Sequence, residues 1–168
     1  IAKKYKLSKI EFFVDFCYSV YGEWKYNYLR DYGFIDSTKN NYIIYLKENA
    51  EDLFNKLNMS TRNILRKTLR NESCKTIIYN ETNITSKIFN QYKKYHAICA
   101  GKQTRSDDTF SAMFLLIKNK SAILLEFNFE KKAVGYLVVF LSHPYALTWS
   151  TANLAEYEKK LPIYRMLV

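Results

Sequence analysis

The 168-residue chain holds only four glycines and two prolines. Collagen-like, low-complexity and linker-rich disordered chains need far more of one or the other, so these classes are excluded and the loops are expected to be short and polar. Cysteine is also sparse. Cys17, Cys74 and Cys99 are far apart and odd in number, which gives no disulfide framework. Cys99 follows His96 by three residues, but two ligands do not make a metal site, and no metal is expected. No run of about 18 apolar residues occurs, so no membrane-spanning helix is expected, and no signal-peptide pattern is visible. The chain begins at Ile1 rather than Met, so the true N-terminus is expected to lie upstream. A reducing, cytoplasmic location is the default expectation.

Apolar residues, by contrast, make up 48% of the chain and aromatic residues 17%, with 15 Tyr and 11 Phe. That is ample for a core at this length. Lys and Arg number 26 against 16 Asp and Glu, a formal net charge of +10. Such a balance favours anionic partners: nucleic acid, nucleotide cofactors, phosphorylated sugars or an acidic membrane surface. A coding bias towards Lys, Asn, Ile, Tyr and Phe accounts for the overall charge equally well. It does not account for the placement of arginines in "NMSTRNILRKTLRNES".

Apolar periodicity predicts a helix over Ser8–Tyr21 and a helix end at Gly33. "NNYIIYLK" reads as a strand and "NAEDLFNKLN" as a short helix with acidic residues in its first turn. The arginine segment follows as a helix with Ser60 or Thr61 as N-cap, then "CKTIIYN" as a strand. "NITSKIFNQYKKYHAICAG" is a helix stopped by Gly101, and "DDTFSAMFLLIKNK" is a helix capped by Asp107 or Asp108. "SAILLEFNFEKKAVGYLVVFLSHPYALTWSTAN" predicts three antiparallel strands with turns at Glu130–Lys132 and Ser142–Pro144. Pro162 opens a last helix in "LPIYRMLV". Gly135 marks a bulge, a close backbone approach or a tolerated position. The expected class is α+β: an antiparallel three-strand meander in a mixed sheet flanked by helices.

Several residues stand out chemically. Arg62, Arg66 and Arg70 line one face of their helix, and their guanidinium groups suit bidentate phosphate binding. The competing reading is a solvated face, or salt bridges to Glu48, Glu51 and Asp52. Free N–H groups at the start of the last helix, with Lys159 and Lys160 beside them, suit an anion as well as an ordinary surface loop. Glu126 sits in the apolar run "ILLEFNF", where a carboxylate faces solvent, is paired, or is held in a cleft as a base. Tyr157 and Tyr164 are the other acid–base candidates. Trp149 reads as core, His96 as a helix-surface residue and His143 as a turn residue. Ser150 has no evident base and is not a nucleophile.

The stretch "GFIDSTKNNYIIYLKENAEDLFNKLNMSTRNILRKTLRNES" resembles the segment of FemABX-like proteins that joins their two GNAT-like lobes. Residues Ser60 to Lys67 occupy that family's "K-x-x-R-N-x-I-R-K-A" signature. Downstream, "EKKAVGYLVVFLSHPYALTWSTANLAEYEKKLPIYRMLV" is similar to the family's turn, "A-G-x-L" strand, aromatic-bearing strand and "P-x-x-L-L" helix start. The resemblance covers roughly residues 33 to 168. It implies an N-acyltransferase of GNAT-like fold that moves an acyl or aminoacyl group to an amine by direct attack. Acyl-CoA (acetyl-CoA) or aminoacyl-tRNA would be the donor. The acceptor would be an amine on a nucleotide sugar, a cell-wall precursor or another bacterial metabolite. The donor's phosphate arm is expected along Lys159, Lys160, Leu161 and Ile163, its acyl group along the strand face of Thr148 and Ser150, and substrate at Arg62, Arg66 and Arg70. Glu126 and Tyr164 are the expected catalytic groups. The Gly-rich cofactor loop of most GNAT proteins is absent, since "YEKKLPIY" has no glycine. Residues 1–58 are expected to be the remainder of a first lobe and the inter-lobe connection. Residues 59–168 are expected to be a second lobe truncated after the start of its cofactor-side helix. A basic RNA-binding module and a degenerate GNAT scaffold are the alternatives; the oligomeric state is not specified.

Overall fold

The computed structural model describes residues 31–32, 49–142 and 145–168. The helix expected over Ser8–Tyr21, the helix end at Gly33, the strand "NNYIIYLK" and the turn residues His143 and Pro144 lie outside the described residues. The chain divides into two compact units, Ile1–Tyr45 and Leu46–Val168, where the sequence placed the boundary at 58/59. Of the first unit, only Asp31 and Tyr32, in a 3₁₀ turn, are described.

The second unit opens with two short helices. In α1 (Ala50–Lys56) the Asn49 side chain accepts from the Asp52 N–H, and Glu51 and Asp52 complement the helix dipole. In α2 (Met59–Leu69) the cap is Asn58, whose Oδ1 accepts from the Thr61 N–H at 2.8 Å. The expected caps Ser60 and Thr61 are therefore inside the helix, because Asn58 already satisfies the orphan N–H of the first turn. Strand β1 is Cys74–Tyr79. Helix α3 (Ser86–Ala100) is capped by Thr85 and closed by Gly101, whose φ of 70° is left-handed. Helix α4 (Asp107–Lys118) is capped by Ser106. Asp107 and Asp108, expected as caps, sit in its first turn, where they act on the dipole.

Strands β2 (Ala122–Phe129), β3 (Lys132–Ser142) and β4 (Tyr145–Asn153) form the predicted meander. With β1 they make a four-stranded antiparallel sheet in the order β1-β2-β3-β4. The β2–β3 loop is two residues, Glu130 and Lys131, with φ of 50° and 64°, the backbone of a primed hairpin turn. Two short helices follow, α5 (Ala155–Glu158) and α6 (Ile163–Leu167). The architecture is α+β. After residue 58 the order is helix, strand, two helices, three antiparallel strands and two short helices.

Strand alternation sends side chains to two separate cores. On one face Leu124, Tyr136, Val138 and Ala152 pack against Phe89 and Tyr92 of α3 and Phe110, Met113 and Ile117 of α4. On the other, Leu125, Phe127, Leu137 and Val139 pack against Ile163 and Leu167 of α6. Burying an aliphatic side chain of that size contributes about 1.5–3 kcal/mol, so five residues suffice to hold α6 on the sheet.

The register carries two bulges. Phe127 opposes Gly135 while Asn128 opposes Ala133, so Val134 is the extra residue. Val138 opposes Ser150 while Val139 opposes Thr148, so Trp149 is the extra residue. The first explains Gly135 as a bulge neighbour. Gly135 is also a close approach: a Cβ there would collide with Ile163 Cγ2 and lie 2.8 Å from Asn153 Oδ1.

Candidate functional site

Where α6 rests on the sheet, the α5–α6 connection is brought opposite α2. Asn153 ends β4, and its Nδ2 donates to Glu158 Oε1 at 2.9 Å. The Leu161 N–H donates to the Tyr157 carbonyl and the Ile163 N–H to the Leu161 carbonyl. Ile163 is 1% exposed, and the Thr76 hydroxyl donates to the Met166 carbonyl at 3.4 Å. The facing wall is the stripe Ile64, Lys67 and Thr68 of α2, spaced three and four apart, continued by Asn71 in the turn after its C-cap. Thr68 is buried, with its hydroxyl donating back to the Ile64 carbonyl at 3.0 Å. Between the two walls lies a cleft of about 670 Å³.

The charge of this cleft is one-sided. Lys67, Lys159, Lys160 and Arg165 line it, against Glu158 alone. Among the described residues none of the four cations forms an ion pair, and Glu158 is already engaged by Asn153. Cations held near one another without counter-ions raise the local concentration of anions.

The expected cofactor residues Lys159, Lys160, Leu161 and Ile163 all line this cleft, and so does the expected catalytic Tyr164, which is 46% exposed. Pro162 is the N-cap of α6 rather than its first helical residue, and no side chain caps that end. The arginine stripe is on another face of α2. Arg62 Nη1 donates to the Asn55 carbonyl at 3.3 Å, and Arg66 lies 5.2 Å from the Phe54 ring centroid. Neither lines the cleft, nor does Arg70, the C-cap of α2. Arg62 and Arg66 brace α1 through a carbonyl and a ring, and form no ion pair with Glu51 or Asp52. Glu48 lies outside the described residues. The chain folds back after only two residues, which puts α1 against that face.

Glu126 is elsewhere. It is 7% exposed, on the sheet face that carries α3 and α4, and accepts from Asn128 Nδ2 at 2.6 Å. The structure therefore does not bring Glu126 and Tyr164 together. Strand β4 separates the other expected pair, because its bulge breaks the alternation that would align Thr148 with Ser150. Thr148 is exposed opposite Val139, whereas Ser150 is buried, hydrogen-bonded at 2.8 Å to the Tyr92 hydroxyl. Trp149, expected in the core, is 37% exposed, with the Arg105 guanidinium 5.8 Å from its ring. The bulge places it beside Phe140, at 6.3 Å, at the edge of the sheet. His96 is partly buried rather than on the surface, and burial, then the Arg105 charge, pushes its pKa below the ordinary value of 6.5.

Sequence reasoning missed Arg165 and Asn128 and noted Lys67 only as a neighbour of the arginines. The signal for Lys67 was the spacing of 64, 67, 68 and 71. For Asn128 it was the two-residue step from Glu126, which puts both side chains on one strand face. Among the described residues no group of His, Cys, Asp and Glu suits a metal ion, and no helix is long and apolar enough to cross a membrane.

No family model matches the chain, and no curated protein matches it. Among solved structures it is similar to an aminoglycoside acetyltransferase from an uncultured soil metagenomic sample, determined in complex with sisomicin. The identity is 15% and the TM-score 0.43, over 52% of this chain. The likeness spans 60% of that protein's length.

Proposed function

We propose that this protein is a FemABX-like N-acyltransferase that holds the phosphate-bearing end of its donor in the α2/α5–α6 cleft. The observation that carries the reading is the set of four cations, Lys67, Lys159, Lys160 and Arg165, with no ion pair among the described residues, around a cleft of about 670 Å³. That volume is within the usual range for ligand pockets, about 300–1,000 Å³. The element order and the sequence resemblance support the same reading.

The donor classes that fit are acyl-CoA, acetyl-CoA included, and aminoacyl-tRNA; each presents phosphates to the cations and an activated acyl carbon to an amine. The acceptor is a primary amine, in the resemblance a nucleotide sugar or cell-wall precursor. Lysines act there as adaptable point charges, and Arg165 adds a fork of donors. Tyr164 offers the cleft an exposed hydroxyl for proton transfer, where the hydroxyl of Thr68 is already committed to the Ile64 carbonyl. Glu126, on the opposite face of the sheet, is not assigned the base's role at this cleft. Arg62, Arg66 and Arg70 act on donor placement only through the seating of α2.

A transfer assay tests the proposal. Thiol release from acetyl-CoA, and loss of aminoacyl groups from aminoacyl-tRNA, are followed with a panel of primary amines. Turnover is expected on one donor, falling at least about ten-fold when Lys159→Glu and Lys160→Glu reverse the charge of the cleft. Salt-sensitive tRNA binding with no transfer would replace the enzyme by an RNA-binding module. Absence of both would leave a scaffold.

A further inference from the structure

A second cavity, of about 530 Å³, lies on the other face of β1, lined by Lys75 and Ile77 of β1, Glu126 and Asn128 of β2, and residues of the α2–β1 and β2–β3 turns. Its floor is unusual. Glu126 is 7% exposed and its described hydrogen bond is from a neutral amide, Asn128 Nδ2 at 2.6 Å. Two neutral hydroxyls, of Tyr79 and Tyr136, also lie beside it. Burial, then the Glu126 carboxylate, pushes the Tyr79 and Tyr136 hydroxyls up, so both remain protonated beside it. The Tyr136 hydroxyl is buried with no hydrogen-bond partner of good geometry. Among the described residues no Lys or Arg forms an ion pair with Glu126.

Buried carboxylates are normally matched by a cation, because the cost of removing an ion from water is several kcal/mol. Here the folded chain supplies neutral donors only, and the carboxylate faces a cavity. The rim charges nearly cancel, with Glu72 and Glu130 against Lys75 and Lys131, so the net attraction comes from the buried Glu126. Among the described residues no three His, Cys, Asp or Glu side chains, these glutamates included, are placed to hold one metal ion.

We propose that this cavity is a binding site for the primary ammonium group of a small organic amine, with the Glu126 carboxylate as its counter-ion and the Asn128 carboxamide as its orienting neighbour. The site stands on the sheet's own geometry and does not depend on the role of the basic cleft. A net charge of +10 opposes non-specific uptake of cations, so saturable ammonium binding would have to be local.

The test is a ¹H–¹⁵N titration of the full chain with 1,4-diaminobutane at low salt, alongside MgCl₂. Saturable shifts are expected at Lys75, Ile77, Glu126 and Asn128. The apparent Kd is expected to weaken at least about ten-fold in Glu126→Gln, about 1.4 kcal/mol, and less than about three-fold in Glu130→Gln. Without ligand, Glu126→Gln is expected to melt no lower than the wild type, since it removes an unmatched buried charge and keeps an acceptor for Asn128. The proposal is overturned by any of four results: no saturable shift, equal affinity in Glu126→Gln, saturation of the same resonances by Mg²⁺ at equal concentration, or a Glu126→Gln protein that melts well below the wild type.

Discussion

His96 lies on α3 between the rings of Tyr92 and Phe110, at 6.0 and 5.5 Å, with its Nδ1 buried and without a partner. Burial and the Arg105 charge both disfavour the imidazolium, so the folded pKa is below 6.5. Between that folded value and 6.5 the unfolded chain binds more protons than the folded one, and stability rises with pH across that window. The contribution is full above pH 6.5 and is lost as the pH falls through the folded value. Thermal melts are expected to fall on acidification from pH 7 through this window, and the fall to flatten in His96→Gln. A wild-type melt that is level from pH 7 to 5 would contradict the placement of this imidazole. Asp107 does not blur the result. Its hydrogen bond from Lys93, then one from Gln103, holds its pKa below 3.8, so it acts in a more acidic window.

At the scale of elements, the junction of β3 with α6 positions the cleft. Gly135 leaves room for Ile163, so Gly135→Ala is expected to destabilise by about 1–3 kcal/mol, as overpacking does. Ile163→Ala removes the colliding Cγ2 at its own cost of about 2–5 kcal/mol. In denaturant melts the pair is expected to cost less than the sum of the two, because each change relieves the other; strict additivity would mean that the two residues do not touch. The meander, α3 and α4 were legible in the sequence because long periodic runs and strand alternation report directly on burial. The caps Asn58 and Ser106 were not, since Ser60, Thr61, Asp107 and Asp108 offer equally good cap chemistry one to three residues away. The β4 bulge was not legible either. One extra residue at Trp149 inverts the alternation before it, and nothing in "YALTWSTAN" announces that. Of the arginine stripe, Arg62 and Arg66 lie together on the side of α2 that meets α1, and Arg70 is its C-cap. Which face meets the cleft depended on the short α1–α2 break, a tertiary constraint outside the periodicity.

Across the whole second unit, the sheet separates two cavities of different character. The basic cleft lies on the α6 face, and the Glu126 cavity lies on the face shared with α3 and α4. The cleft holds the expected Lys159–Tyr164 segment and adds Lys67 and Arg165 from opposite walls, which periodicity alone did not join. Its anion-binding role is the central claim, and binding tests it more directly than turnover. Titration calorimetry of CoA, and separately of bulk tRNA, into the wild type and into Lys67→Glu/Lys159→Glu is that measurement, repeated at two salt concentrations. The account predicts saturable binding of at least one of these ligands. It further predicts an affinity that falls as salt is raised and a loss of at least about ten-fold, or 1.4 kcal/mol, in the charge-reversed protein. Binding of equal strength in both proteins, or none in the wild type, would contradict it.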